Sequence, residues 1–242
     1  MRYFDTFGTL LYKFGDEVDP TAFENISTYV DVIDQIKDSV SFLNQHTIQE
    51  GFRPDQVSIQ LYGTPLYYWT FYLLNDNIRE QGWPLINNEL QTYIKKIFPN
   101  TVINTRDVIH NKFKVGQTVS GNISGASGII IRRNLDLGQI VVKGTVNFLL
   151  GGELMSSTNS SGVIETITST SNVKEYQSTA YYIDGNSEIV DIDPHTGPGG
   201  LITEQTQEDV YFNVNESLRN ILIIRPELIV NVVSSFKEAL RT

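Results

Sequence analysis

The chain has 242 residues, 28 of them acidic and 18 basic, a net charge of −10, and 40% hydrophobic side chains. That apolar share excludes a fully disordered chain, and the negative charge argues against general binding to phosphate backbones or anionic membranes. The absence of cysteine excludes a disulfide scaffold, a thiol nucleophile and any thiolate metal site. No stretch approaches the roughly 20 apolar residues that a membrane helix needs. The first residues lack the long apolar run of a signal peptide, so a soluble protein made in a reducing cytoplasm is expected.

The N-terminal stretch MRYFDTFGTLLYKFG alternates aromatic and apolar residues with few partners nearby in sequence. Such an arm is marginal alone and is expected to order against a neighbour. Phe23, Ile26, Val30, Ile33, Ile36, Val40 and Leu43 then recur at spacings of three and four, which predicts one helix within about 22–43. Thr47–Gln49 reads as a short strand. Pro54 opens a helix, where its missing N–H is no loss, and Gly63 closes it in the left-handed conformation. Thr64 caps and Pro65 opens the next helix, which Asn75, Asp76 and Asn77 end. Residues 81–85 read as an extended return, so that strand, helix, helix and strand follow in order. Trp69, Leu73 and Leu61 are expected in the core and Trp83 near the surface.

Residues 111–172 differ in composition: rich in Gly, Ser and Thr, poor in acids, and without Pro or Trp. Two segments repeat weakly, FKVGQTVSGNISGASGI from Phe113 and FLLGGELMSSTNSSGVI from Phe148. Gly116 matches Gly151, and Gly128 matches Gly162. Short β-branched runs between Gly and Ser turns predict a small all-β module, partly closed as a barrel. GNISGASG fits neither the Walker pattern nor GxGxxG, so its glycines are read as turn residues. Residues 173–242 are expected to rejoin the main body. They end in an apolar strand at 221–224 and a helix opened by Pro226, with Leu228, Ile229, Val232, Val233, Phe236 and Leu240 on one stripe.

No catalytic constellation emerges. His46, His110 and His195 lie in three different segments without an HxxxH or HExxH partner, and Gly125–Gly128 lacks the nucleophile-elbow spacing. Asp184, Glu188, Asp191, Asp193 and His195 form the densest acid cluster. Their types permit a divalent cation site or a carboxylate pair for glycosidic cleavage. The alternation Ile189-x-Asp191-x-Asp193 favours a solvated acidic hairpin. No catalytic residue, cofactor or metal ligand is therefore assigned.

Three features carry a resemblance: the turn Gly51-x-Arg53-Pro54, then Tyr62-Gly63 followed by Tyr67-Tyr68-Trp69, then Asn75-Asp76-Asn77 followed by Trp83-Pro84. With Asn215-Glu216, Arg219 and the strand before Pro226, they make the chain similar to the small LysM-like baseplate wedge proteins of contractile-tailed phages of the T-even type. The chain departs from the shorter members of that family by carrying the Gly/Ser-rich block. The resemblance implies an α+β fold with a LysM-like strand-helix-helix-strand core, an inserted small β module, and a C-terminal strand plus helix. The expected domains are 1–110, 111–172 and 173–242. The implied function is a non-enzymatic structural subunit that clamps or bridges neighbouring wedge proteins, in multiple copies, in the virion tail baseplate, after assembly in the host cytoplasm. No nucleic acid or membrane partner is expected. Surplus aromatics suit such interfaces. The interface candidates are Tyr3, Phe4, Phe7, Leu10, Tyr12, Tyr62, Tyr67, Tyr68 and Trp83. A peptidoglycan-binding LysM-type module is the competing class, by analogy of fold.

Overall fold

The structure, a computed structural model, describes residues 9–16, 19–24, 37 and 40–239. In chain order the elements begin with strands β1 (Thr9–Tyr12), β2 (Thr21–Glu24) and β3 (Leu43–Thr47), then helices α1 (Pro54–Tyr62), α2 (Trp69–Leu74), α3 (Asp76–Gln81) and α4 (Asn87–Ile97). Strands β4 (Thr101–Thr105), β5 (Thr118–Gly121), β6 (Ser127–Asn134), β7 (Gln139–Val142), β8 (Leu154–Thr158) and β9 (Ile164–Lys174) follow. Then come β10 (Thr179–Ile183), β11 (Ile189–Val190), β12 (Thr203–Thr206), α5 (Gln207–Leu218), β13 (Asn220–Ile224) and α6 (Ile229–Ala239). The protein is α+β, and it divides into two compact units, 1–86 with 215–242, and 87–214.

In the first unit, local chemistry sets the helix ends. Pro54 is the first residue of α1, and Gly63 terminates it at φ 72° with its N–H bonded to the Ile59 carbonyl at 2.9 Å. Thr64 accepts from the Leu66 N–H at 3.4 Å, but what it caps is a single 3-10 turn over Pro65–Tyr67. The buried Ser58 explains the difference. Its hydroxyl donates to the Thr64 carbonyl at 2.7 Å and accepts from the Tyr67 N–H at 3.3 Å, so the turn is bonded back to α1. The α-helix proper begins at Trp69.

β3 lies upstream of the expected Thr47–Gln49, and its partner comes from the other end of the chain. It pairs antiparallel with β13, Leu43 opposite Ile224 and Thr47 opposite Asn220. Residues 82–86 form no strand. Pro84 has no N–H to offer a ladder, and both backbone groups of Leu85 are taken by the side chain of Asn215, at 2.8 and 3.0 Å. The expected helix over 22–43 is also revised at its ends. Residues 21–24 are β2, 40–42 are a 3-10 turn and 43 opens β3, while most of the span lies outside the described residues.

β13 is apolar on both faces because both are covered. Ile221 and Ile223 join Ile48, Val57, Phe71 and Ile78 on one side. Ile224 joins Leu43, Trp69, Leu74, Ile229, Val233 and Phe236 on the other. Trp69 is buried with its ring 5.4 Å from that of Phe236, while Leu73 and Leu61 sit at the edges of these clusters. Burial of this many apolar side chains, each worth about 1.5–3 kcal/mol, is the main stabilisation of the unit.

The second unit contains a closed six-stranded barrel in the order β4-β7-β6-β5-β8-β9. Ile103, Val119, Ile130, Ile140, Val142, Met155 and Ile167 fill its interior. The two repeated segments place equivalent plugs: Phe113 precedes the β5–β6 hairpin, Phe148 precedes β8–β9, and both rings lie in this core. The expected edges at 111 and 172 fall inside the barrel. β4 lies upstream of them and pairs with both β7 and β9, and β9 continues to Lys174. Gly128 is not a turn residue. It sits within β6, where a Cβ would lie 2.4 Å from the Val142 side chain. Beyond the barrel, β11, β10 and β12 form a three-stranded sheet in that order, and the rings of Tyr93 and Phe98 pack on Tyr211 of α5.

Candidate interaction surfaces

The residues that carry the wedge-like motif mostly fasten the first unit together. Asn75, buried at the end of α2, donates from Nδ2 to the carbonyls of Phe71 and Leu222, both at 2.8 Å, and accepts the Leu222 N–H at 2.8 Å. Asn215 treats the backbone of Leu85 in the same way. Each amide stands in for a strand neighbour and satisfies one residue's N–H and C=O together. The Trp83 indole donates to the Phe52 carbonyl at 2.7 Å, and its ring lies 6.0–6.1 Å from Tyr72 and Phe71. Arg219 pairs with Glu216 at 3.1 Å and reaches Glu50 at 3.8 Å.

Among the tyrosines, Tyr62 is committed to the interior. Its hydroxyl donates to the Ile224 carbonyl at 2.9 Å, its ring stacks near Phe71 and meets Tyr67 edge-on, and burial raises the pKa of its phenol. Tyr67 is half-buried against the same cluster, as Trp83 is against the other. Tyr68 remains exposed.

The β1–β2 hairpin is the opposite case. Leu10 pairs with Phe23 and Tyr12 with Thr21, so alternation puts Leu10, Tyr12 and Phe23 on one face. Phe14 completes it, its ring 4.8 Å from Tyr12 and 5.7 Å from Phe23. All four side chains are more than 40% exposed. Tyr3, Phe4 and Phe7 lie outside the described residues. Phe14 and Phe23 were not among the sequence candidates. Phe14 shares the parity of Leu10 and Tyr12, a signal that was available, whereas Phe23 was taken up by the helix pattern. The face carries no charge, and the acids Asp16 and Asp19 are exposed beside it.

In the second unit, three glutamates are buried in hydrogen-bonded sites. Glu153 accepts the N–H groups of Ile123 and Ser124 at 2.9 and 2.6 Å and of Leu149 at 3.0 Å. Burial alone would raise its carboxyl, but these donors, with the Ser124 hydroxyl, outweigh it and hold the group below the ordinary range. Glu165 accepts the N–H of Phe113, which stands at φ 52°, and Glu175 binds Arg132 at 2.7 Å. These carboxylates hold loops and strands in place.

The 184–195 segment holds the turn and second strand of the β10–β11 hairpin and a following loop. Asp184 accepts the N–H groups of Glu188 and Asn186, which lower its pKa. His195 Nδ1 lies 2.7 Å from the Arg106 carbonyl. Among the described residues, no three His, Asp or Glu side chains converge as metal ligands, and no helix is long and apolar enough to cross a membrane.

The chain finds no match among curated proteins. A family of phage proteins described as Base plate wedge protein 53 matches residues 10–118, from the exposed hairpin to the first residue of β5. Over that span the chain is similar to that family, and the match supports a phage baseplate wedge subunit.

Proposed function

We propose that the chain is a non-enzymatic structural subunit of a phage tail baseplate wedge that bridges neighbouring wedge proteins, and that the apolar face of the β1–β2 hairpin is one of its contacts. The observation that carries the reading is the match of residues 10–118 to the base plate wedge protein 53 family. The hairpin supports the bridging role, because it lies within the matched span and exposes Leu10, Tyr12, Phe14 and Phe23 together. A two-stranded hairpin is marginal alone in water, and an uncharged aromatic face is what the centre of a protein interface looks like. Tyr68 and the strand-helix-helix-strand unit, closed by β3 and β13 in a LysM-like manner, supply further surface. The partners are other baseplate proteins of the same virion, met in multiple copies after assembly in the host cytoplasm. The acidic segments at 1–50 and 176–242 favour basic patches on those neighbours.

Reconstitution with the other wedge proteins tests this. Complexes made with the chain lacking residues 1–24 should fail to assemble, or assemble with much lower affinity, and the contact made by the full chain should bury at least about 1,000 Å². Complete assembly by the truncated chain removes the hairpin from the interface. Failure of the full chain to enter any wedge complex, with saturable binding to purified peptidoglycan, would favour a wall-binding module instead.

A further inference from the structure

Where β5 begins and β8 ends, the barrel surface opens into a groove of about 570 Å³, within the range usual for ligand sites. Its walls are Gln117, Thr118 and Ser120 on one side and Ser156, Thr158 and Asn159 on the other, with Ile164 at one end. Every polar group in this set is neutral. The neutrality extends well beyond the groove. Residues 115–131 contain no Asp, Glu, Lys or Arg, and the only charged residues within 144–173 are Glu153 and Glu165, both buried in the bonds described above. In a chain with 46 acidic and basic side chains, this is a large uncharged surface built on two paired hairpins.

The groove is preformed. Gln117 is held by the Lys114 N–H at its oxygen and reaches the Thr158 carbonyl at 3.5 Å. Asn159 is fixed by the N–H groups of Ser161 and Val163, both at 3.0 Å. Among the described residues, the hydroxyls of Thr118, Ser120 and Thr158 make no hydrogen bond within the chain. Each can both donate and accept, on short side chains that lose little rotamer freedom on binding. Ile164, 68% exposed, and its neighbour Val163, 57% exposed, offer an apolar shelf beside these hydroxyls.

We propose that this groove binds a neutral carbohydrate chain. A sugar ring presents hydroxyls that donate and accept around its rim and a C–H face that packs on aliphatic carbon. The groove presents the complement of both and no charge that would select an acidic or basic ligand. A polyanion would find no cation here, and a charged peptide would have to leave its charges unpaired. The proposal does not depend on the wedge reading: Gln117 and Thr118 fall at the end of the span matched to that family, while Ser120, Ser156, Thr158, Asn159 and Ile164 lie beyond it.

The full chain would be titrated with cellohexaose, maltohexaose and chitohexaose, followed by saturation-transfer NMR and calorimetry, with an oligogalacturonate as the acidic control. Saturable binding of at least one neutral hexamer is expected, insensitive to salt because no charge takes part. A Thr118→Val/Thr158→Val variant keeps the shape and removes two free hydroxyls. It should weaken binding at least about tenfold while leaving the thermal unfolding of the chain unchanged. No binding of any neutral hexamer at about 10 mM, a concentration at which even weak sites with Kd near 1 mM fill, overturns the proposal. So does binding confined to the acidic control, or binding that the double variant leaves intact.

Discussion

The two compact units are held together in different ways. In the first, the decisive contacts join residues far apart in sequence. β3 pairs with β13, the amide of Asn75 closes the backbone of Leu222, and that of Asn215 closes Leu85. In the barrel, two hairpins with matched Phe plugs lie side by side and strand closure pairs the backbone, with single side-chain bonds such as Gly144 N–H to Asn100 Oδ1 and Gln139 Nε2 to the Thr179 carbonyl added to it. The buried polar groups differ accordingly. In the first unit two neutral amides each bond one residue's N–H and C=O together, while the barrel buries three carboxylates, of which Glu153 sits in a nest of N–H groups. An open two-stranded sheet has edges that need covering, and the Asn75 amide covers part of the edge of β13. A closed barrel has no edge but has tight loops whose converging N–H groups attract an anion.

Perturbing each unit at its own kind of contact sharpens this comparison. Trp69→Ala removes the largest ring from the cluster shared by α2, β13 and α6. It should destabilise the first unit by about 3–5 kcal/mol in denaturant unfolding. A loss below about 1 kcal/mol would mean that this cluster is not what joins the two ends of the chain. Glu153→Gln should destabilise the barrel by about 2–3 kcal/mol, because the new amide cannot accept at both ends and would present N–H toward N–H.

The same carboxylate gives the barrel a pH signature. Its pKa is lower folded than unfolded, so its contribution is complete above the ordinary glutamate value and is lost as pH falls through the depressed folded value. The E153Q variant should lose that part of the acid sensitivity, which acid titration followed by the amide resonances of the barrel strands measures. Asn75→Ala leaves the Leu222 N–H and C=O unpaired and should cost about 2 kcal/mol, with Asn215→Ala similar. If Asn75→Ala is neutral, the idea that an amide covers the open edge of β13 is wrong. The smallest effect on stability belongs to the hairpin. Leu10→Ser with Phe23→Ser should change the unfolding free energy by less than about 0.5 kcal/mol, while weakening wedge assembly if the face is a contact.

A deletion bears on the whole comparison. Because the Asn215 side chain bonds the backbone of Leu85, the two chain ends that bracket residues 87–214 are neighbours within the first unit. We propose that this segment is an insertion with those wider limits, in place of 111–172. Joining Ile86 to Asn215 through a short glycine linker should leave a folded first unit, judged by cooperative unfolding and dispersed amide resonances. A deletion of 111–172 would strand β4 without partners.

Much was legible in the sequence where the cause is local. Pro54 and Gly63 mark the ends of α1 because their backbone restrictions act within one residue. The paired Phe-x-x-Gly segments announced a β module because hairpin alternation and turn chemistry repeat with the fold. The apolar stripe after Pro226 marked α6, since helical spacing alone lines up Ile229, Val233 and Phe236. What the sequence could not decide was pairing at a distance. Nothing in 43–47 or 220–224 states that these strands meet across more than 170 residues, and the extended return expected at 81–85 is the nearer partner by sequence, but Asn215 occupies the backbone of Leu85. Nor could spacing separate a strand from a helix at 21–24, where Phe23 fits both periods. The tertiary structure also decided which aromatics face outward, turning Tyr62 and Trp83 toward carbonyls of the interior and leaving Leu10, Tyr12, Phe14 and Phe23 uncovered. Composition fixes how many apolar side chains a chain has to bury; only the folded geometry, by satisfying some polar tips inside and leaving other rings without a neighbour, determines which of them are left for a partner.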